Sequence, residues 1–254
     1  MSVPHTNGTP ADANKVFDPQ TVRETYCAFV DVLGFSAATQ RDFGSVLELY
    51  ESLLEKSDFV ASLSPDIQVT VVSDAFVLIS EQLGTVIRMT QTLQWQLLME
   101  YCLVRGGIAH GKHVEGSKAG VQFVVSAAVA KAVAIEKTVK HPCVAIDPAI
   151  EFADRDWLNG MRSMLFFDGL TIVNPFTPFW FRTARTRITS QRAKYPEHSK
   201  KHDWLLALHQ AMLDQQLLIP PDVYDRLCTA SGWTSIQVPW PAPNYGDSQG
   251  SKSC

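Results

Sequence analysis

Apolar positions along this chain fall into runs whose spacing separates strands from helices. Tyr26–Cys27–Ala28–Phe29–Val30 is a continuous apolar run of the kind a buried strand shows, and it ends at Asp31–Val32–Leu33–Gly34–Phe35. After the turn-forming Asp42–Phe43–Gly44–Ser45, residues Val46, Leu49, Tyr50, Leu53 and Leu54 recur at helical spacing. Two β-rich runs, Ile67 to Val72 and Ala75 to Ile79, are split only by Ser73–Asp74, which predicts a hairpin with Asp74 at its tip. Leu83, Val86, Ile87, Thr90, Leu93, Leu97 and Leu98 predict an amphipathic helix over about 82–100. It leads into the strand-like Cys102 to Ala109, where Gly106 and Gly107 would let another backbone approach closely. A polar loop is expected at 111–120, a helix over Val121 to Glu136 and a further strand at Pro142 to Ile146. The predicted order is βαββαβ followed by αβ.

The ends read differently. Basic residues Arg182, Arg185, Arg187, Arg192 and Lys194 precede a helix with Trp204, Leu205, Leu208 and Met212 on one face, so 181–233 is expected to form accessory helices packed on a core spanning 21–180. The basic stretch is interleaved with Thr and Ser and reads as a solvated face, not a nucleic-acid arm. Residues 1–20 and 234–254 are expected to be mobile tails, given their Pro, Asn, Ser and Gly content.

Composition narrows the choice of partner. With 254 residues, 46 % of them hydrophobic, the chain can bury a sizeable core. A formal net charge of −4 gives no bulk attraction to nucleic acid or anionic lipid, so a phosphate-bearing ligand must be met by local groups. Five scattered cysteines form no CxxC pair, which fits a reducing cytoplasm and not a disulfide framework. No stretch reads as a signal peptide or membrane span, so a soluble, cytoplasmic protein with no membrane partner is expected. The spacing of His110 and His113 resembles a metal pair but lacks the further ligands of a closed zinc site.

The candidate chemistry is a pair of strand-end carboxylates, Asp31 and Asp74, each flanked by apolar strand residues. An Asp after a strand is ordinarily a turn former or helix cap. Two carboxylates brought together repel each other unless cations sit between them, and hard oxygen ligands favour Mg²⁺ or Mn²⁺. Two such ions can activate a hydroxyl and neutralise a triphosphate for an in-line displacement at phosphorus.

Three segments then carry a likeness. Phe29–Val30–Asp31–Val32–Leu33–Gly34–Phe35–Ser36, Val71–Val72–Ser73–Asp74–Ala75–Phe76 and Arg105–Gly106–Gly107–Ile108–Ala109–His110–Gly111, in this order, resemble the motifs of class III adenylate and guanylate cyclases. The resemblance covers roughly residues 25 to 150. It implies an α+β fold with a ferredoxin-like βαββαβ core and a C-terminal helical extension, working as a homodimer with active sites at the subunit interface. By the same resemblance Asp31 and Asp74 hold two Mg²⁺ or Mn²⁺ ions, with the Val32 carbonyl as a possible further ligand, and Gly34, Phe35 and Ser36 cradle the triphosphate. A glycine turn opening a helix suits an anion physically.

The departures point to the base. Where purine cyclases of that family carry a Lys six residues before the second Asp, this chain has Gln68. The later Asn/Arg pair is absent in either alignment register, its places falling to Val124 and Ala128 or to Ser126 and Ala130, and the purine-reading acid becomes Ser117 or Ala119. The pattern resembles the pyrimidine cyclases of bacterial Pycsar antiphage systems, which implies UTP before CTP as substrate and a separate effector that senses the product. Gln68 offers both a donor and an acceptor to a pyrimidine edge. Lys131 is the first candidate for the missing transition-state cation, with Arg105, Arg41 and Lys118 behind it, and Tyr50 either packs in the core or lines the nucleotide pocket. The rival expectation is a catalytically silent cyclase-fold module that binds a nucleotide or a partner protein.

Overall fold

The computed structural model describes residues 21–118, 121–153, 156, 163–177, 180–214 and 218–220, with Asp222, Val223, Asp225, Arg226 and Thr229. The predicted tails at 1–20 and 234–254 lie outside these described residues, as do Cys228 and Cys254. The elements are β1 (Arg23–Val32), α1 (Phe35–Arg41), α2 (Phe43–Ser62), β2 (Gln68–Val72), β3 (Ala75–Ser80), α3 (Leu83–Met99), β4 (Val104–Lys118), β5 (Val121–Ser126), α4 (Ala127–Thr138), β6 (Val144–Ile146), β7 (Met164–Phe167), β8 (Leu170–Val173), α5 (Phe181–Lys194) and α6 (Ser199–Leu213).

The sheet runs β2-β3-β1-β4-β6-β8-β7, with β5 paired to the outer part of β4. Within it, β2-β3-β1-β4 is antiparallel throughout, so each helical crossover skips one strand, which is the α+β ferredoxin-like βαββαβ arrangement. Register sets the two faces. Cys27, Phe29 and Asp31 of β1 lie beside Ile79, Val77 and Ala75 of β3 and beside Ala109, Gly107 and Arg105 of β4. Ala28, Val30 and Val32 turn the other way, into a cluster with Leu53, Val60, Val86, Leu93 and Leu97 from α2 and α3.

Helix α4 covers the opposite face. Its buried residues Ala128, Ala132 and Glu136 recur every four positions and lie over the glycines of β4. A Cβ on Gly107 would come within 2.5 Å of the Ala132 carbonyl oxygen and 2.7 Å of Ile135 Cβ, so the bare backbone is what seats the helix. Ser126 starts α4 by accepting a hydrogen bond from the Val129 N–H at 3.1 Å. The C-terminal helices α5 and α6 join Ala145, Leu165, Ile172 and Phe176 in a second buried cluster through Ala184, Ile188, Leu205, Leu208 and Met212.

Two expectations fail locally. Residues 111–118 continue β4 instead of looping, and the expected helix over Val121 to Glu136 is a strand up to Ser126 and a helix only from Ala127. The β-branched Val121, Val124 and Val125 are exposed and pair with the end of β4, while the Ala-rich part alone has the small surface α4 needs. The hairpin β7–β8 was not expected, although Asp168–Gly169, both at positive φ, is the turn such hairpins favour.

Candidate active site

Asp31 stands one residue from the end of β1, and Asp74 sits at the β2–β3 turn, after Ser73 at φ 56°. The antiparallel pairing of Asp31 with Ala75 brings the two carboxylates to the same sheet edge, and the Val32 N–H donates to the Asp74 carbonyl at 3.0 Å. Ser36 Oγ donates to Asp74 Oδ2 at 3.5 Å, so the first turn of α1 closes over the pair. Gly34 opens that turn at φ 85°, a conformation that favours glycine, while the Phe35 ring is buried in the first cluster.

Charge is in surplus here. The carboxyl of Asp31 is pushed up to about 6, first by burial, then by Asp74 and Glu136 beside it, with Arg105 opposing. Glu136 is 6 % exposed and is held by Arg105, whose Nε lies 2.5 Å from Glu136 Oε1. Arg105 is the cross-strand neighbour of Asp31, and its guanidinium is committed to Glu136 on α4.

These residues suit a divalent cation. Among the described residues no group of three or more His, Cys, Asp or Glu side chains is placed to hold a metal. Mg²⁺ usually keeps several waters and binds through one or two carboxylates plus substrate phosphates, so a two-carboxylate set whose Asp31 is raised by burial and then by Asp74 matches its donor chemistry. The candidate ligand Val32 lies in the same hydrogen-bonded corner.

The other candidates are scattered over both faces of the sheet. Tyr50 packs against Phe35 with ring centroids 6.2 Å apart and borders a cleft of about 450 Å³ with Ser36 and Ser73, next to Asp74. Gln68 lies four residues of strand, about 13 Å, from the Asp31 rung. Its Nε2 donates to Glu115 Oε2 at 2.7 Å, and Glu115 also pairs with Arg23 at 3.2 Å. Lys131 is not drawn to the carboxylates within one protomer: its Nζ donates to the His110 carbonyl at 3.0 Å, about 17 Å of strand from Arg105. Arg41 ends α1 on the exposed side, beside Asp42. His113 is fully buried within β4, and burial holds its ring below the usual range.

Two residues had no place in the sequence expectation. Glu115 faces Gln68 only because β4 runs on past 110, and alternation along Arg105, Gly107, Ala109, Gly111 and His113 could have pointed to it. Glu136 reaches Arg105 only because the Gly/Ala seam lowers α4 onto the sheet.

No family model and no curated protein matches the chain. Solved structures similar to it are nucleotide cyclases. The guanylyl cyclase Cya2 shares 16 % identity at a TM-score of 0.46, covering 60 % of this chain and 91 % of that one. A bacterial light-regulated adenylyl cyclase shares 14 % at 0.45, covering 67 % and 98 %. The guanylate cyclase domain of RhGC from Catenaria anguillulae, solved in complex with GTP, shares 14 % at 0.44, covering 59 % and 96 %.

Burial pushes the Cys27 and Cys143 thiols up to about 12 and that of Cys102 to about 11, which removes them as nucleophiles. Among the described residues no helix is long and apolar enough to cross a membrane.

Proposed function

We propose that this chain is a nucleotidyl cyclase that converts a pyrimidine nucleoside triphosphate, UTP before CTP, into its 3′,5′-cyclic monophosphate and pyrophosphate. The observation that carries the reading is the meeting of Asp31 and Asp74 at one sheet edge, with the Asp31 carboxyl raised by burial and by its neighbour. Bound Mg²⁺ or Mn²⁺ would activate the ribose 3′-hydroxyl and neutralise the phosphates. Asp31, Asp74 and Val32 would hold the ions, and Gly34, Phe35 and Ser36 would shape the loop around the triphosphate.

The base would lie toward Gln68. With Nε2 engaged by Glu115, its Oε1 is left as an acceptor, which suits an N–H such as that at N3 of uracil. Tyr50 would line the separate cleft beside Ser36 and Ser73 from α2. Gln68, Thr70 and Val72 expose the β2 side of this face, and a second copy of the chain would cover it as a homodimer and complete the site. In such a dimer Lys131 and Arg105 serve as cations only if the partner brings them near the phosphates. The product would act as a second messenger on a separate effector, in the manner of antiviral signalling systems, inside the cytoplasm.

Among the described residues no free cation stands beside Asp31, which favours one rival, a silent module that binds nucleotide without turnover. Incubation with ATP, GTP, CTP and UTP in turn, with Mn²⁺, followed by chromatography of products, separates the readings. Cyclic UMP with pyrophosphate is expected. Cyclic AMP as main product would overturn the pyrimidine assignment, and no product from any of the four would favour the silent module.

A further inference from the structure

Behind the loop that carries Asp31 lies a second cavity, of about 420 Å³, within the range of small-molecule sites. Its walls come from the Val32–Gly34 loop and α1, from the Tyr101–Leu103 turn and from the C-terminal helices, so it exists only because α5 and α6 pack there. Three features make it more than a gap. Gln191 of α5 lines it at 2 % exposure, with its Oε1 lacking any hydrogen-bond partner. A buried acceptor without a donor is uncommon in native proteins and calls for a group not yet supplied.

The second feature is charge. Arg41 of α1 and Lys201 of α6 line the cavity, and neither makes an ion pair among the described residues; Glu197 offsets one of them. His202, 2 % exposed, approaches the His198 carbonyl through Nδ1 at 3.0 Å, and burial keeps it neutral, which leaves Nε2 as a second acceptor on the same wall. The third feature is aromatic. Tyr101 holds a non-glycine φ of 63° with the Arg187 guanidinium 4.5 Å over its ring, and Tyr195 flanks the other side.

We infer that this cavity is a second ligand site, for a mononucleotide: an anionic phosphate toward Lys201 and Arg41, and a planar ring that presents N–H donors to Gln191 and His202. The cavity backs onto the Val32–Phe35 loop of the proposed triphosphate site, but Gln191, Lys201 and His202 belong to α5 and α6, so the proposal does not rest on the cyclase reading. The cavity is also wired to the carboxylate pair. The Leu33 N–H donates to the Leu103 carbonyl at 2.9 Å, and the adjacent Val32 N–H donates to that of Asp74 at 3.0 Å, so a shift of the Tyr101–Leu103 wall moves the corner that holds the carboxylates.

Calorimetric titration of the full chain carrying Asp31→Asn, in EDTA, with UMP, AMP and inorganic phosphate tests this with the metal corner disabled. A saturable mononucleotide isotherm is expected, weakened at least tenfold by added Lys201→Glu and by Gln191→Leu, and kept by Lys201→Arg. Thermal unfolding of each variant checks that it is folded. Equal binding in the Lys201→Glu and parent chains, or no isotherm at all, would overturn the site. Phosphate binding as tightly as UMP and AMP would overturn the mononucleotide assignment.

Discussion

The two halves of the sheet treat polar groups in opposite ways. Around β6, β7 and β8 most of them find partners, Gln191 Oε1 and His209 Nδ1 apart: Trp204 Nε1 donates to Asp168 Oδ2 at 3.1 Å, His141 stacks on Trp204 with centroids 4.9 Å apart, and His209 Nε2 meets the Phe181 carbonyl at 2.8 Å. Around β1 and β3, three carboxylates, those of Asp31, Asp74 and Glu136, crowd one corner against the single guanidinium of Arg105. A fold selected only for stability has no use for such a corner. The contrast teaches where to look for metal chemistry: in the half that tolerates repulsion between carboxylates.

The sharpest way to break that contrast is to remove one acid. Asp31→Ala or Asp74→Ala should lower cyclic-nucleotide production by at least about 100-fold while leaving the chain folded by circular dichroism, and retained turnover would take these side chains out of the mechanism. Next in size is Gly107→Val. The added methyls meet Ala132 and Ile135, so α4 must lift, and chemical denaturation should show a loss of about 1–3 kcal/mol.

A third experiment reads the repulsion itself. Because the folded Asp31 carboxyl is raised, its ionised form opposes folding: the penalty is absent below the ordinary value near 4 and grows as pH rises through about 6. Metal-free Asp31→Asn should therefore melt above wild type at pH 8, by about 2–4 °C, with the gap closing toward pH 4. Mn²⁺ should raise the wild-type Tm and not that of the variant. A gap independent of pH would show that the corner is not charge-strained. The smallest effect belongs to the other half: Trp204→Phe loses the Asp168 hydrogen bond, for about 1 kcal/mol of stability by denaturant midpoint, with kcat unchanged.

Much of the first half was legible because period-two apolar runs with one polar break have few readings. β1, the β2–β3 hairpin with Asp74 at its turn, and α3 follow directly from spacing, and register then forces Asp31 and Asp74 together. Short α1 was missed because seven residues after a glycine carry too little period. β5 was missed because its valines are exposed and run without a break into the alanines of α4, where Ser126 alone marks the boundary. Glu115 and Glu136 could not be read as partners of Gln68 and Arg105, since each pair is separated by tens of residues and joined only by tertiary packing.

The alanine–glycine seam beneath α4 has a mechanical consequence. With Gly107 under Ala132 and Ile135 and Gly111 under Ala127 and Ala128, the helix rests almost directly on the strand backbone and would move with it. Any partner that pushes on the exposed side of that helix would carry Glu136 with it. The negative field felt by Asp31 would then change without any touch on the carboxylates themselves.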